Sequence, residues 1–302
     1  MPSISVQNIT KVFDGQIAVN NVSFNVEAGE IFGLLGPNGA GKTTTIRIIL
    51  DIFKPDSGQV VILGGPMNEA KKNLVGYLPE ERGLYQDIPL ERCLVYLATL
   101  KGLEHSEAQK RISQYIERFD LGAWRKKKVK ELSKGMQQKA QLITTLVHQP
   151  EVIIIDEPFT ALDPINTQMV KDLLREERDA GKTIIMCTHQ MHQVEELCDR
   201  LVLINHGQLM LYGALREVRQ KFAKPEVSLS TPVALPEAIS GVDEIKRENE
   251  SYLLHLVPGK SPQEVLQTLV QANLKIDKFE IAMPTLDEIF IEVVKNQGSD
   301  NE

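Results

Sequence analysis

The chain has 302 residues and is 42% hydrophobic, so it can form a large domain and a smaller one. Its formal net charge is -7 at pH 7. This charge argues against a protein that grips DNA or RNA through a basic surface.

No apolar run approaches the roughly 20 residues of a membrane helix, and the N-terminus lacks a signal-peptide pattern. The three cysteines, Cys93, Cys187 and Cys198, have neither metal-type nor disulfide-type spacing. We therefore expect a soluble, cytoplasmic protein with free thiols.

The first predicted elements are two antiparallel strands between Ile4 and Val26, joined by a turn at Asp14 and Gly15. A third strand, Ile31–Leu35, leads into the glycine-rich segment GPNGAGKTT. The residues that follow have helical spacing, so this segment lies between a strand and a helix N-terminus.

This segment, the phosphate-binding loop, consists of Gly36, Pro37, Asn38, Gly39, Ala40, Gly41, Lys42, Thr43 and Thr44. Its glycines allow backbone amides to approach phosphate oxygens, and the helix dipole adds to the attraction. Lys42 would reach the β- and γ-phosphates of a triphosphate, and the Thr43 hydroxyl would ligate Mg²⁺. The alternative is a glycine-rich turn that binds nothing, which the flanking strand and helix disfavour.

Apolar residues at helical spacing indicate a helical insert at about 86–148. The first helix is predicted to carry Leu94, Leu97 and Leu100 on one face, and the second to carry Ile112, Ile116 and Phe119 on one face. A third helix begins near Ser133, and Ser133 with Gly135 forms a second potential anion site. Taken alone, that pair is more often a simple capping motif.

An acidic pair, Asp156 and Glu157, directly follows the continuous apolar strand at 152–155. The carboxyl ends of parallel strands are where an open sheet presents its ligands, so Asp156 can hold Mg²⁺. Glu157 points in a different direction and can act as the general base for an attacking water. A surface acidic turn is the alternative, which the preceding apolar residues disfavour.

Asp163 is predicted to cap a helix that ends near Gly181, and buried strands follow. Beyond a linker at about 220–225, strand-like and helix-like segments alternate, which indicates a small α+β domain. We expect domains at 1–222 and 223–295, followed by a disordered tail at 296–302.

The order of these motifs resembles the ATP-binding cassette (ABC) family over roughly 4–222. The segment LSKGMQQ at 132–138 is similar to the family's signature sequence, and ALDP at 161–164 is similar to its D-loop. His189 matches its switch histidine, and Phe13 occupies the position of an aromatic residue that stacks on adenine.

The resemblance implies an α/β fold: a P-loop ABC nucleotide-binding domain with a mixed sheet, antiparallel N-terminal strands and a helical subdomain. It also implies that ATP and Mg²⁺ are bound. Two subunits, as a homodimer or a heterodimer with a related cassette, would enclose two ATP molecules head to tail. Each ATP would lie between the phosphate-binding loop of one subunit and Ser133 and Gly135 of the other, with the D-loop residue Asp163 also contributing.

Glu80 departs from the family pattern, because it aligns with a glutamine that contacts the metal or the water. Its oxygen can make the same contact, but its charge competes with phosphate.

The segment GYLPEERGLY at 76–85 and LDEIF at 286–290 resemble the sodium- and drug-efflux ATPases of bacteria and archaea. This implies an exporter motor on the inner face of the membrane, bound to separate membrane-spanning permease subunits, with no nucleic acid.

The alternative function is a soluble ABC-type ATP switch that acts on the ribosome or DNA. The interval between Thr44 and Leu132 is too short for long coiled-coil arms, and the chain has one cassette where translation-factor relatives usually have two. The acidic charge also counts against it.

The C-terminal domain has three open interpretations: a ligand sensor, a dimerisation element or a structural cap.

Overall fold

The computed structural model describes residues 2–81, 83–248 and 251–299. The chain divides into two compact units, Met1–Leu215 and Arg216–Glu302. This division lies a few residues before the domain boundary predicted after residue 222, and the functional domain limits stay predictions.

The first unit contains two sheets. Its strands are β1 (Ile4–Phe13), β2 (Gln16–Val26), β3 (Ile31–Leu35), β4 (Ser57–Ile62), β5 (Val75–Leu78), β6 (Val152–Asp156), β7 (Thr183–Thr188), β8 (Arg200–Asn205) and β9 (Gln208–Ala214). One sheet is antiparallel with the order β2-β1-β4, and the other has the order β5-β6-β7-β3-β8-β9. In the second sheet all pairs are parallel except β8 with β9. The predicted mixed fold with antiparallel N-terminal strands is therefore confirmed.

Helices connect these strands. They are α1 (Lys42–Ile49), α2 (Glu69–Lys72), α3 (Leu90–Leu100), α4 (His105–Arg118), α5 (Lys134–Leu146), α6 (Pro164–Asp179) and α7 (Met191–Leu197). Helices α3, α4 and α5 pack together, as the predicted helical insert requires. Short 3₁₀ turns occur at Gly122–Trp124 and Val129–Glu131.

A shared hydrophobic core joins the two sheets of the first unit. It contains Phe32 and Leu34 of β3, Ile46 and Ile49 of α1, and residues of β1 and β2 such as Val19. The strands β3, β6 and β7 are buried along their whole length, because both faces of the parallel sheet are covered. This packing fixes the end of β3, where the phosphate-binding loop begins.

Helix α8 (Leu215–Lys221) begins at the boundary of the two units, and the second unit continues as an antiparallel sheet with two further helices. Its elements are β10 (Glu226–Ser230), β11 (Val242–Glu248), β12 (Ser251–Leu256), α9 (Pro262–Gln271), β13 (Lys278–Ile281) and α10 (Leu286–Ser299), and the strand order is β11-β12-β10-β13. Val227, Leu254 and Val265 belong to its own buried core. The predicted small α+β domain is confirmed.

Two details of the sequence-based prediction are wrong, and one residue of a predicted apolar helix face is exposed. Leu100 is 61% exposed, because it is the last residue of α3, where the chain turns at Lys101 and Gly102. Strand β11 was not predicted, since its charged sequence DEIKRE is unlike a buried strand but suits the edge of a sheet. Residues 296–299 belong to α10 and not to a disordered tail, because polar composition alone does not end a helix; 300–302 lie outside the described residues.

In the part of the chain that the structure describes, no helix has the length and apolar character needed to cross a membrane. All three cysteines are free, as predicted, and the structure shows that all three are buried.

Candidate functional site

The phosphate-binding loop joins β3 to α1, and α1 begins at Lys42. Gly41 is its N-cap residue with a φ of 102°, in the left-handed region. A Cβ atom on Gly41 would lie 2.4 Å from the Ala18 carbonyl oxygen, and one on Gly36 would lie 2.1 Å from the Ile204 carbonyl oxygen. The loop therefore requires glycine at both positions, because neighbouring backbone occupies the space of a side chain.

The Lys42 side chain is 7% exposed and folds back over its own loop. Its Nζ donates hydrogen bonds to the carbonyl oxygens of Gly36, at 2.8 Å, and Pro37, at 3.0 Å. These contacts hold the ammonium group at the beginning of the loop. The loop thus combines a fixed positive charge with a helix N-terminus, the arrangement that favours phosphate.

Thr43 and Asp156 meet at the carboxyl end of β6. The Thr43 hydroxyl donates to Oδ2 of Asp156 over 3.1 Å. Burial raises the pKa of Asp156, and hydrogen bonds from Cys187 and Thr43 act in the opposite direction. The pair fits Mg²⁺, which prefers oxygen ligands and is usually held by one or two protein groups together with substrate phosphates. The described residues contain no cluster of three or more His, Cys, Asp or Glu that could hold a metal by itself.

Glu157 follows Asp156 and turns back toward β7, with a φ of 54°. Its Oε1 accepts hydrogen bonds from the His189 backbone N, at 3.0 Å, and lies 2.6 Å from His189 Nδ1. Its Oε2 accepts a hydrogen bond from the Thr188 hydroxyl at 3.1 Å. The His189 side chain is 50% exposed, whereas that of Glu157 is 9% exposed. The sequence-predicted pair of base and histidine is thus in direct contact.

One cleft brings most of the predicted residues together. It is lined by Ala18, Asn38, Gly39, Ala40, Gly41, Lys42, Thr43, Thr44, Glu80, Asp156 and Glu157. Glu80, distant in sequence, therefore reaches the same cleft as the phosphate-binding loop and the acidic pair. Gly36 and Pro37 do not line it, but they hold Lys42 through their carbonyl oxygens.

Ser133, Gly135 and Asp163 do not line this cleft. The exposed Ser133 caps α5 and accepts a hydrogen bond from the Met136 backbone N at 3.2 Å. A Cβ atom on Gly135 would lie 2.7 Å from the carbonyl oxygen of Ala161, so the signature helix and the D-loop are in close contact. Asp163 caps α6, as predicted, and its hydrogen bonds with Asn166 lower its pKa.

Phe13 also lies outside the lining of the cleft, at the end of β1. Its ring is 39% exposed and its centroid is 5.3 Å from that of Phe53. The ammonium group of Lys11 lies 5.4 Å from the centroid of Phe13. The ring is therefore supported by neighbours and has free surface, although its role with adenine stays a prediction.

The sequence reasoning missed three residues that build the site. Ala18 lines the cleft, and Gln138 donates from Nε2 to the carbonyl oxygens of Glu157, at 3.3 Å, and Pro158, at 3.2 Å. Thr188 contacts Glu157. The signals were weak: a polar residue inside an otherwise buried element, as at Gln138 and Thr188, and nothing distinctive at Ala18.

Comparison with known proteins gives a consistent result. A family profile described as ABC transporter matches residues 19–160, and one described as ATP-binding protein DrrA1-3-like, C-terminal domain, matches residues 213–294. The ABC transporter ATP-binding protein YhaQ of Bacillus subtilis is 38% identical over 96% of this chain and 98% of its own length. The linearmycin resistance ATP-binding protein LnrL of the same organism is 28% identical over 95% and 97%.

A solved structure of an ATP-binding subunit of an ABC transporter superposes with a TM-score of 0.68 and 31% identity. The match covers 72% of this chain and 92% of that one. The sequence similarity and the structural similarity therefore indicate the same family. The phosphate-binding loop, the acidic pair and the order of the strands agree with it. The chain belongs to the ABC transporter ATP-binding proteins, which bind ATP and are ATPases.

Proposed function

We propose that this chain is the motor subunit of an exporter and that two cassettes close around two ATP molecules. The observation that carries this proposal is the separation of the two anion sites. The phosphate-binding loop shares a cleft with Asp156 and Glu157, whereas Ser133 and Gly135 lie outside that cleft. A second subunit, placed head to tail, would supply them.

The residues of the cleft, together with His189 beside Glu157, divide the chemical work. Lys42 and the loop amides bind the phosphates, and Thr43 with Asp156 would hold Mg²⁺, which neutralises phosphate charge. Glu157 would accept a proton from the attacking water as the general base. His189, in contact with Glu157 and half exposed, would face the γ-phosphate. Glu80 would contact the water or the metal through its carboxylate oxygen.

Export as the direction of transport is supported by the C-terminal unit. That unit matches the DrrA1-3-like C-terminal domain, and the relative LnrL is named for linearmycin resistance. We propose that separate membrane-spanning permease subunits carry the substrate, and that this chain binds them from the cytoplasmic side of the membrane. Closure of the dimer on ATP and its opening after hydrolysis would drive them.

The test compares Glu157→Gln with Lys42→Ala in the full chain. Glu157→Gln should lower ATP turnover by roughly 10²–10⁴-fold while ATP still binds and stabilises a dimer, because only the base is removed. Lys42→Ala should instead weaken ATP binding, since the fixed charge at the phosphates is lost. Turnover, ATP affinity and ATP-dependent dimerisation by light scattering are the measurements.

The matched control is Glu151→Gln, which removes an exposed carboxylate just before the other end of β6. It should leave turnover and ATP affinity unchanged. Normal turnover in Glu157→Gln would remove Glu157 from the role of base. Absence of an ATP-dependent dimer in that variant would contradict the shared-site arrangement.

A further inference from the structure

The acidic pair lies at the carboxyl end of β6, next to the carboxyl end of β7. These strands are parallel neighbours, and Asp156 lies opposite Cys187 in their register. The Glu157 backbone N donates to the Cys187 carbonyl oxygen at 2.9 Å, so the pairing continues one residue beyond β6. The left-handed backbone of Glu157 then turns its side chain toward the residues that follow Cys187.

Thr188 is the last residue of β7, and its side chain is fully buried at 0% exposure. Its hydroxyl accepts a hydrogen bond from the Gln190 backbone N at 3.1 Å and donates to Oε2 of Glu157 at 3.1 Å. A hydroxyl has a single proton, and an ionised carboxylate can only accept. The contact with the Gln190 N–H therefore leaves that proton directed at Glu157.

The two oxygens of Glu157 are held by different residues. Oε1 contacts the backbone N and the ring of His189, and Oε2 contacts Thr188. Two separate anchor points prevent the carboxylate from rotating about its last side-chain bond. Neither anchoring residue lines the cleft, but His189 is half exposed, whereas Thr188 is fully buried.

We propose that Thr188 is a positioning residue for hydrolysis: its hydroxyl fixes the Glu157 carboxylate in the orientation needed to accept a proton from water. This inference rests on the proposed role of Glu157. Thr188 is fully buried and does not line the cleft, so we expect it to act on the rate of the chemical step and not on ATP binding.

The test uses Thr188→Val, which keeps the shape of the side chain and removes the donor. We expect kcat to fall about tenfold, because a hydrogen bond to a charged group contributes on the order of one to two powers of ten. KM and ATP affinity should stay within about twofold, since phosphate contacts are unchanged. Thr188→Ser, which restores the hydroxyl, should recover most of the rate.

Two controls separate this role from a structural one. Thr183→Val removes another buried hydroxyl from the opposite end of β7, where Thr183 bonds Ser3 at 2.8 Å, and should leave kcat unchanged. Valine at 188 also loses the acceptor for the Gln190 N–H. Thr188→Val is therefore also combined with Glu157→Gln. If the loss of kcat acts through Glu157, Thr188→Val should cause no further loss in this double variant, whereas a loss that acts through Gln190 should persist.

Wild-type kcat in Thr188→Val beside a slow Glu157→Gln would overturn the positioning role alone. Equal loss in Thr188→Ser and Thr188→Val, or a loss that persists in the Glu157→Gln background, would also overturn it. Full-rate hydrolysis by Glu157→Gln would instead overturn the assignment of the base on which the inference rests.

Discussion

Gly41 and Gly64 have left-handed backbones with φ angles of 102° and 78°, but their surroundings differ. A Cβ atom on Gly64 would meet nothing within 4 Å, whereas one on Gly41 would press against the Ala18 carbonyl oxygen at 2.4 Å. The comparison separates two costs of losing a glycine. Both positions carry the cost of the backbone conformation, and only Gly41 carries a collision inside the phosphate-binding loop.

We predict that Gly64→Ala lowers the free energy of unfolding by about 1 kcal/mol, the cost of a left-handed alanine. Gly41→Ala should lower it by about 2–4 kcal/mol and weaken ATP binding, because the collision displaces the start of α1. Urea unfolding and ATP titration measure the two effects. Equal losses of stability in both variants, with ATP affinity intact, would show that the contact with Ala18 is unimportant.

At the scale of elements, a partly buried histidine lies where α5 and β5 meet. His148, just after α5, lies with Nε2 3.3 Å from the Val75 carbonyl oxygen, which Lys101 Nζ also contacts at 3.1 Å. The buried Nδ1 of His148 has no hydrogen-bond partner. Burial, with the nearby charge of Lys101 as a smaller cause, lowers the pKa of His148 to about 4.

The sign of the resulting pH dependence follows from that shift. The pKa of His148 is near 6.5 in the unfolded chain and about 4 in the fold, so protons favour the unfolded state. The contribution of neutral His148 to the free energy of unfolding is fully present above pH 6.5 and declines as the pH falls toward 4. We predict a loss of up to about 2 kcal/mol between pH 7 and pH 5 that is absent in His148→Gln. The measurement is urea unfolding of both proteins at each pH, and identical pH dependence would contradict it.

Elements with strong local signals could be predicted from the sequence, and those that depend on distant neighbours could not. The strand before Asp156 and the cap at Asp163 were predicted because apolar runs and capping residues act locally. Strand β11 depends on its place at the edge of a sheet. Likewise, the contact of Thr188 with Glu157 depends on the pairing of β6 with β7, which no local pattern reveals.

At the scale of the whole molecule, the two anion sites have different partners in the proposed dimer. The phosphate-binding loop of one subunit would meet the exposed Ser133 of the other. Each ATP site of the dimer is then a composite site, with Lys42 from one subunit and Ser133 from the other. A defect in Lys42 of one subunit and a defect in Ser133 of the other subunit therefore affect the same composite site. The opposite composite site of that mixed dimer is then intact.

We predict that Lys42→Ala and Ser133→Arg are each inactive alone, because every site of each homodimer contains one defect. Mixing the two proteins should restore ATP turnover above the sum of the separate activities, since mixed dimers contain one intact site. The control mixes Lys42→Ala with a Lys42→Ala/Ser133→Arg double variant, in which no intact site can form. Turnover that stays at the sum of the separate activities would contradict the head-to-tail arrangement.

The burial of the three cysteines has a practical consequence. Cys93, Cys187 and Cys198 are at most 6% exposed, and burial raises the pKa of each thiol. Thiol reagents attack the exposed thiolate, so the native cysteines react slowly. A cysteine introduced at the exposed Lys126 would be the fast-reacting thiol of the chain. Fluorophores can then be attached there for energy-transfer measurements between subunits without first removing the natural cysteines.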